Sequence, residues 1–488
     1  MRKLTQALSN KSLEIFSVFV LVTVLFLPLI QPFKPGPGIE IIDLLVPVLF
    51  IAFFIKRKEL NERNLYLLLG GFTVYIFITI LVNGRWGQIR DYFEIFKMVK
   101  FILVIWLFSH TSAENFIKKW SRPIFIALVV FNLIHYFELF NFNDLLENYY
   151  PAGERIPEFG KNSIGQPTDK RMLGFPNNPN YNAIVFLFFT ILFIPRKEKN
   201  IPISNWAYVY FIIAVFMVFL CQSRTSLPII GVIVMVHTAI YIKKSWEMIV
   251  VLIMSVGLSF FLAKVISNAS VDYRLAQYNK TEHMELFKYK GIIYQDSTTL
   301  LYNDYDTIVL DSIILVEDLR AYFSKSDPSF VDSLKARKTK NSYMETMLDG
   351  SAFESNSFRE RLEIWRHLWN MIKKKPVFGH GPYKEYFYSN DLYSENEYIL
   401  FTWRYGFIGL ILYLSILIYL LIKGIKGRHS LGGSMLLYFT ITLGISGLTN
   451  NPFIHQTILI LLAACAGWAI YSNSQRKREV KNKSPEDI

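Results

Sequence analysis

Twelve runs of apolar residues, all but the short one at 180–195 long enough to cross a hydrocarbon layer, restrict what this chain can fold into. They lie near 13–30, 39–55, 65–82, 92–109, 123–140, 180–195, 204–221, 226–242, 246–267, 396–422, 433–449 and 454–472. A bilayer core takes about 17 to 25 apolar residues in helical form. Within that core only helices and closed barrels satisfy every backbone donor and acceptor. The reading is therefore an all-α integral membrane protein with about 12 transmembrane helices. Hydrophobic residues make up 52% of the 488 and aromatic residues 16%, more than a water-soluble enzyme carries.

The net charge of +13 is not a nucleic-acid footprint, because the basic residues form short clusters beside the apolar runs and not one contiguous patch. Lys56-Arg57-Lys58, Lys118-Lys119, Arg196-Lys197, Lys243-Lys244, Lys423 with Lys426, and Arg476-Lys477-Arg478 all fall on one side of an alternating twelve-span arrangement. By the positive-inside rule that side is the cytoplasm, and it holds both termini. The predicted organisation is nine spans over 1–267, one large extracytoplasmic loop domain over 268–395 between spans 9 and 10, three spans over 396–472, and a basic cytoplasmic tail over 473–488. No small-residue cleavage site follows the first run, so it reads as an uncleaved span. Cys221 and Cys465 lie in or beside apolar runs and read as packing residues, not as a disulfide or zinc framework.

The end of the large loop carries the densest pattern. Ser357 and Glu360 have capping-box spacing for a helix start. Phe358, Leu362, Trp365, Trp369 and Ile372 then recur at helical intervals and form an apolar stripe. Arg359, Arg366 and Lys373 recur every seven residues elsewhere on that helix, while Arg361 sits at the margin of the stripe. Pro376 and Gly379 end the helix, one by removing a donor and the other by permitting a reversal. A polar segment, Glu395-Asn396-Glu397, leads into the tenth apolar run.

Three more groups stand at the same predicted membrane face. Pro176, Asn177, Pro179 and Asn180 are expected to hold a non-helical turn before the sixth run, either as a plain helix start or as amides offered to a sugar. Arg224 lies in Gln222-Ser223-Arg224-Thr225-Ser226 between the seventh and eighth runs. Its forked guanidinium suits phosphate oxygens, and a snorkelling anchor is the plainer reading. The fourth run carries Arg90, Asp91, Glu94, Lys97 and Lys100 at one end. Charges in such a run face a partner or a cavity. Glu94 and Lys97 are spaced to neutralise one another along the helix, and Asp43 is the candidate partner of the deeper Lys100.

Arg361 and Trp365 four apart, the turn Pro376-Val377-Phe378-Gly379-His380-Gly381, the polar segment, and Tyr405-Gly406-Phe407-Ile408-Gly409 together resemble the bacterial O-antigen polymerase and ligase family. Arg171 with the following glycine and Pro-Asn segment, and Ser223-Arg224-Thr225, resemble the same family at corresponding places. The resemblance implies a multi-pass glycosyltransferase of the cytoplasmic membrane that uses a polyprenyl-diphosphate-linked glycan donor and a glycan acceptor. It implies that Arg224 and Arg361 bind the diphosphate, with Arg171 and Lys100 as further candidates, and that a carboxylate such as Glu395 accepts the acceptor's proton. Arg90, Arg359, Asn180 and Asn396 are the remaining expected substrate contacts.

Ligase members carry a His-Asn pair where this chain has Glu395-Asn396, which favours the polymerase branch. Glu395 equally suits a solvated residue before a helix start. Ligase transfer to another acceptor is the near alternative, and a non-enzymatic lipid-linked oligosaccharide flippase the distant one. Candidate partners are membrane lipids, a flippase and a chain-length regulator. No cofactor and no metal site is expected: the histidines are scattered and no Asp-x-Asp motif is present, while fixed arginines and lysines can stabilise a diphosphate leaving group electrostatically.

The predicted orientation has a direct check. Reporter fusions after Lys244 and after Lys426 should give cytoplasmic signals, and fusions within 268–355 extracytoplasmic ones; a fusion series out of step with this alternation removes the twelve-span reading.

Overall fold

The computed structural model describes residues 10–27, 41–56, 62–137, 139–141, 172–176, 178–196, 205–223, 225–241, 246–267, 356–384, 386 and 395–482. These residues contain helices and turns but no strand. In chain order the principal helices are α1 (Asn10–Phe26), α2 (Val46–Lys56), α3 (Arg63–Val82), α4 (Ile89–Phe108), α5 (Arg122–Tyr136), α6 (Pro179–Phe193), α7 (Asn205–Cys221), α8 (Ser226–Tyr241), α9 (Trp246–Ser267), α10 (Asn356–Lys374), α11 (Glu397–Lys426), α12 (Leu431–Ser446) and α13 (Gln456–Asn482). The chain divides into two compact units, one of residues 1–271 with 367–488 and the other of residues 272–366.

A helix overlies each of the twelve apolar runs. Four are long and apolar enough to cross a membrane by themselves: Arg63–Val82, Trp246–Ile266, Glu397–Lys426 and Gln456–Arg476. Pro179–Phe193, Trp206–Leu220, Ser226–Tyr241 and Leu431–Ser446 are apolar but shorter. The protein is thus a helical membrane protein. The possible helix over 307–323 lies outside the described residues.

Within the larger unit, α13 is the hub, with 78% of its span buried against 28% for α9. The sequence explains why: Ala463, Ala464, Ala466 and Gly467 give α13 a face of small residues on which neighbouring backbones can close. A Cβ on Gly467 would meet the Phe108 side chain of α4 at 2.4 Å, and one on Gly432 of α12 would meet the Trp468 carbonyl at 2.5 Å. Trp106, Trp468 and Tyr438 are fully buried around this hub. The outward faces of α3 and α9 instead leave Leu67, Val74, Met254 and Phe261 exposed, as lipid-facing helices require.

The apolar stripe of α10 is rotated from the sequence expectation. Leu368 and Ile372 are buried, whereas Trp369 is 46% exposed. Leu368 and Ile372 are four apart and share a face, so the packed side passes through Leu368 where the periodicity alone favoured the larger Trp369.

Overpacking the hub should be costly. Gly432→Leu is expected to lower stability by about 1–3 kcal/mol, read as a lower melting temperature in detergent, and Leu431→Ile, which conserves volume, should cost clearly less.

Candidate functional site

Gly406 interrupts α11, and the interruption organises one end of the helix bundle. Its backbone stands at φ 66° and ψ −174°, a region open only to glycine. In an unbroken helix the carbonyls of Trp403, Arg404 and Tyr405 would accept the amides of Phe407, Ile408 and Gly409. Here the His380 N–H donates to Trp403 at 3.0 Å, the Gly381 N–H to Arg404 at 2.7 Å, and the Phe407 N–H to the Pro376 carbonyl at 2.8 Å. The Tyr75 hydroxyl, from α3, donates to the Tyr405 carbonyl at 2.7 Å.

The Pro-x-Phe-Gly-x-Gly turn that ends α10 is thereby laid backbone to backbone along the break. Gly379, at φ +65°, permits this approach, because a Cβ there would meet the Gly406 nitrogen at 2.4 Å. His380 is buried and shares a 3.0 Å hydrogen bond with the Met371 carbonyl. Burial pushes its pKa below the usual histidine value, helped by Lys375 and Lys374, against the opposing effect of that hydrogen bond. The ring is therefore neutral at pH 7 and donates from Nε2.

The same turn delivers a charged cluster. Glu94 of α4, 5% exposed, meets Lys97 at 2.6 Å, Lys384 at 3.0 Å and Arg404 at 3.8 Å. Asp91 pairs with Arg85 at 2.5 Å and accepts the Lys384 backbone N–H at 3.0 Å. The Arg85 guanidinium lies 3.9 Å over the Tyr383 ring, and Tyr383 holds a positive φ of 43° beside Lys384. A non-glycine residue in that region is strained and must be held by its surroundings. One turn deeper, Lys100 pairs with Asp43, as the sequence suggested.

A second polar network lies in the turn after α12. The Glu397 N–H donates to the Gly447 carbonyl at 2.8 Å, and its carboxylate accepts the Tyr413 hydroxyl at 2.8 Å and the Phe453 N–H at 2.6 Å. Asn396 caps α11 through the Ile399 N–H at 3.1 Å and donates to the Leu448 carbonyl at 3.2 Å. On the other side of this turn, Asn180 donates to the Asn450 side chain at 3.0 Å, and the Thr225 and Thr449 hydroxyls meet at 2.5 Å. One short segment, 447–453, thus touches both the Glu397 region and the starts of α6 and α8.

The expected site residues therefore separate. Asn180, Glu395 and Asn396 lie at this end of the bundle, and Lys100 lies below the charged cluster. Asn180 belongs to the first turn of α6 and not to a turn before it, because Asn178 supplies the cap, accepting the Asn180 N–H at 2.9 Å. Glu395 is half-buried and holds a positive φ of 43°. Arg90 is exposed, away from its buried neighbour Asp91. Arg361 is half-buried on α10, in the unit of residues 272–366. Arg171 and Arg224, and the side chain of Arg359, lie outside the described residues.

Sequence reasoning passed over Lys384, Arg404, Thr449 and Asn450. Arg404 carried a usable signal, being a charge inside an apolar run. Lys384 carried none, since only the folded turn places it against Glu94.

The break is open to test. Gly406→Ala places a Cβ 2.1 Å from the Val377 carbonyl at a forbidden φ, so its folded yield and activity should collapse. Tyr75→Phe removes one buried hydroxyl donor and should cost about 1–3 kcal/mol in thermal stability; an unchanged melting temperature in both variants refutes the role given to the break.

No curated protein matches the chain. Residues 209–414 match the family model described as O-antigen ligase. That stretch runs from α7 through the broken part of α11 and includes the Pro-x-Phe-Gly-x-Gly turn, and its match supports a relation to the O-antigen polymerase and ligase family.

Proposed function

We propose that the protein is a membrane glycosyltransferase of the polymerase type, joining polyprenyl-diphosphate-linked oligosaccharide repeat units at the outer face of the bacterial cytoplasmic membrane. The family match supports the reaction class. The observation that carries the reading further is the gathering of Lys97, Lys384 and Arg404 around Glu94 at the broken end of α11. Such a site suits a substrate with a diphosphate at one end and a hydroxyl-rich glycan at the other.

In this reading the acceptor's hydroxyl oxygen attacks the anomeric carbon of the donor. The bond from that carbon to the diphosphate oxygen breaks, and polyprenyl diphosphate leaves with the electron pair. The hydroxyl proton passes to a carboxylate, for which Glu395 is the candidate. Arg224 and Arg361 hold the leaving diphosphate, where a permanent forked charge stabilises the developing negative charge. Asn180 and Asn396, both hydrogen-bonded within the bundle, act on the substrate through the polar turns they hold in place.

Ligase transfer to a different acceptor is the second reading, favoured by the description of the matching family. The Glu395-Asn396 pair, in place of the ligase His-Asn, supports the polymerase.

A reconstituted reaction with a short lipid-diphosphate-linked repeat tests the proposal. The expected result is a ladder of lengthened glycans with release of polyprenyl diphosphate, reduced at least about 100-fold in folded Arg224→Ala and Arg361→Ala, as loss of an electrostatic stabiliser predicts. Transfer of a single unit to a foreign acceptor would establish the ligase. Movement of the lipid-linked unit across the bilayer without any extension would overturn both.

A further inference from the structure

The turn that ends α10 keeps its backbone within the bundle and sends two apolar side chains outward. The Pro376 carbonyl accepts the Phe407 N–H at 2.8 Å, the Val377 carbonyl accepts the Tyr75 hydroxyl at 3.2 Å, and the amides of His380 and Gly381 reach the broken part of α11. Val377 and Phe378 are nevertheless exposed. They are not isolated. The loop between α3 and α4 carries Trp86, 72% exposed, and Ile89, 77% exposed, and the Lys375 ammonium ties that loop to the turn by donating to the Asn83 side chain at 2.7 Å. A group of exposed apolar side chains of this kind marks an interaction surface.

Depth along α3 identifies what the surface meets. Phe378 stacks on the Tyr75 ring, with centroids 6.3 Å apart. Tyr75 precedes Val82, the last residue of α3, by about two helical turns, roughly 10 Å. Since α3 is long and apolar enough to cross a membrane, the turn reaches below the end of a spanning helix. On that helix Val74, Ile78 and Leu81 are exposed as well, so the lipid-facing side of α3 continues into Trp86 and Ile89. On α10, Trp369 is exposed and shares a face with the exposed Lys373 one turn further on, and Lys374 is exposed beside it. Aliphatic side chains followed by tryptophans and then by lysines is the order found across a membrane interface.

We propose that Val377, Phe378, Trp86, Ile89 and Trp369 form a surface seated in the bilayer, whose partner is phospholipid. The two turn side chains enter the upper acyl region, the tryptophans lie at headgroup level, and Lys373 and Lys374 meet lipid phosphates. Irregular backbone is tolerated beside lipid only where its polar groups are met within the protein, and the pairing of the turn with α11 and Tyr75 supplies this. Continuity with the lipid-facing side of α3, and the charge complementarity of exposed lysines and lipid phosphates, favour lipid over a covering protein segment. The end of α10, expected from the sequence to lie in an extracytoplasmic loop, thus becomes an interfacial element. Seated in this way, the turn that brings Lys384 to Glu94 is held at the membrane surface. The seating needs only the membrane setting and does not depend on the polymerase reading.

The test is lipid contact in the full chain, reconstituted in vesicles of phosphatidylcholine and phosphatidylglycerol. Val377→Cys and Trp369→Cys are each labelled with a small thiol-reactive fluorophore. Cys221 and Cys465 are buried and should stay unlabelled, which wild type checks. Met254→Cys, on the exposed side of α9, is the lipid-facing reference. A nitroxide on the lipid acyl chain should quench the label at 377 as strongly as the reference. A nitroxide on the headgroup should quench the label at 369 more strongly than the acyl-chain nitroxide does, and aqueous iodide should leave most of the fluorescence at 377. Quenching at 377 by iodide and not by lipid describes a water-filled cleft, and quenching by neither describes a face covered by another part of the chain; either result overturns the proposal. Should Val377→Cys not fold, Ile89→Cys in the exposed loop decides in its place, with strong headgroup quenching expected and its absence overturning the seating. Because contact is read without glycan transfer, failure of the polymerase reading leaves this result interpretable.

Discussion

The break in α11 at Gly406 is the constraint on which the rest of the site depends. A helix interrupted in an apolar setting frees backbone carbonyls that water cannot reach, and leaving one unsatisfied costs several kcal/mol. The carbonyls of Trp403, Arg404 and Tyr405 are met by two amides of the 376–381 turn and by the Tyr75 hydroxyl. No freedom remains in where that turn can lie. With both Gly379 and Gly406 in positive-φ conformations and their backbones nearly touching, the end of α10 is fastened to α11 and to α3.

This fastening explains the position of the charges. Arg404 stands two residues before the break and Lys384 three residues after the turn, so the backbone pairing brings both to α4, where Glu94 and Lys97 already face one another. Charged side chains in apolar helices are retained where they have work to do. Among the described residues, the arrangement sets Lys97, Lys384 and Arg404 around Glu94. It lies at the same end of the bundle as the Glu395-Asn396-Glu397 segment.

A second polar network is held together by the segment 447–453. It accepts from Asn396 and Glu397 on one side and joins Asn180 and Thr225 on the other. Residues far apart in the chain are therefore registered through one short turn and not through direct contact with each other. The Glu397 carboxylate, buried and hydrogen-bonded to Tyr413 and Phe453, reads as the pin of this turn.

Much of this was legible without coordinates. The apolar runs dictated helices because continuous apolar segments of that length satisfy their backbone groups within a single helix, and the Pro-x-Phe-Gly-x-Gly and Tyr-Gly-x-Ile-Gly patterns marked both sides of the break. Spacing also anticipated the pairing of Glu94 with Lys97, and that of Lys100 with Asp43 was suggested by charge alone. The tertiary structure alone decided that Trp369 yields its place on the packed face to Leu368, that Asn180 is turned toward Asn450, and that Lys384 and Arg404 meet at Glu94. Those outcomes depend on which helix ends are neighbours. Periodicity and composition record how each segment meets its solvent, whereas the partner of a buried charge is set by long-range backbone pairing that no local pattern encodes.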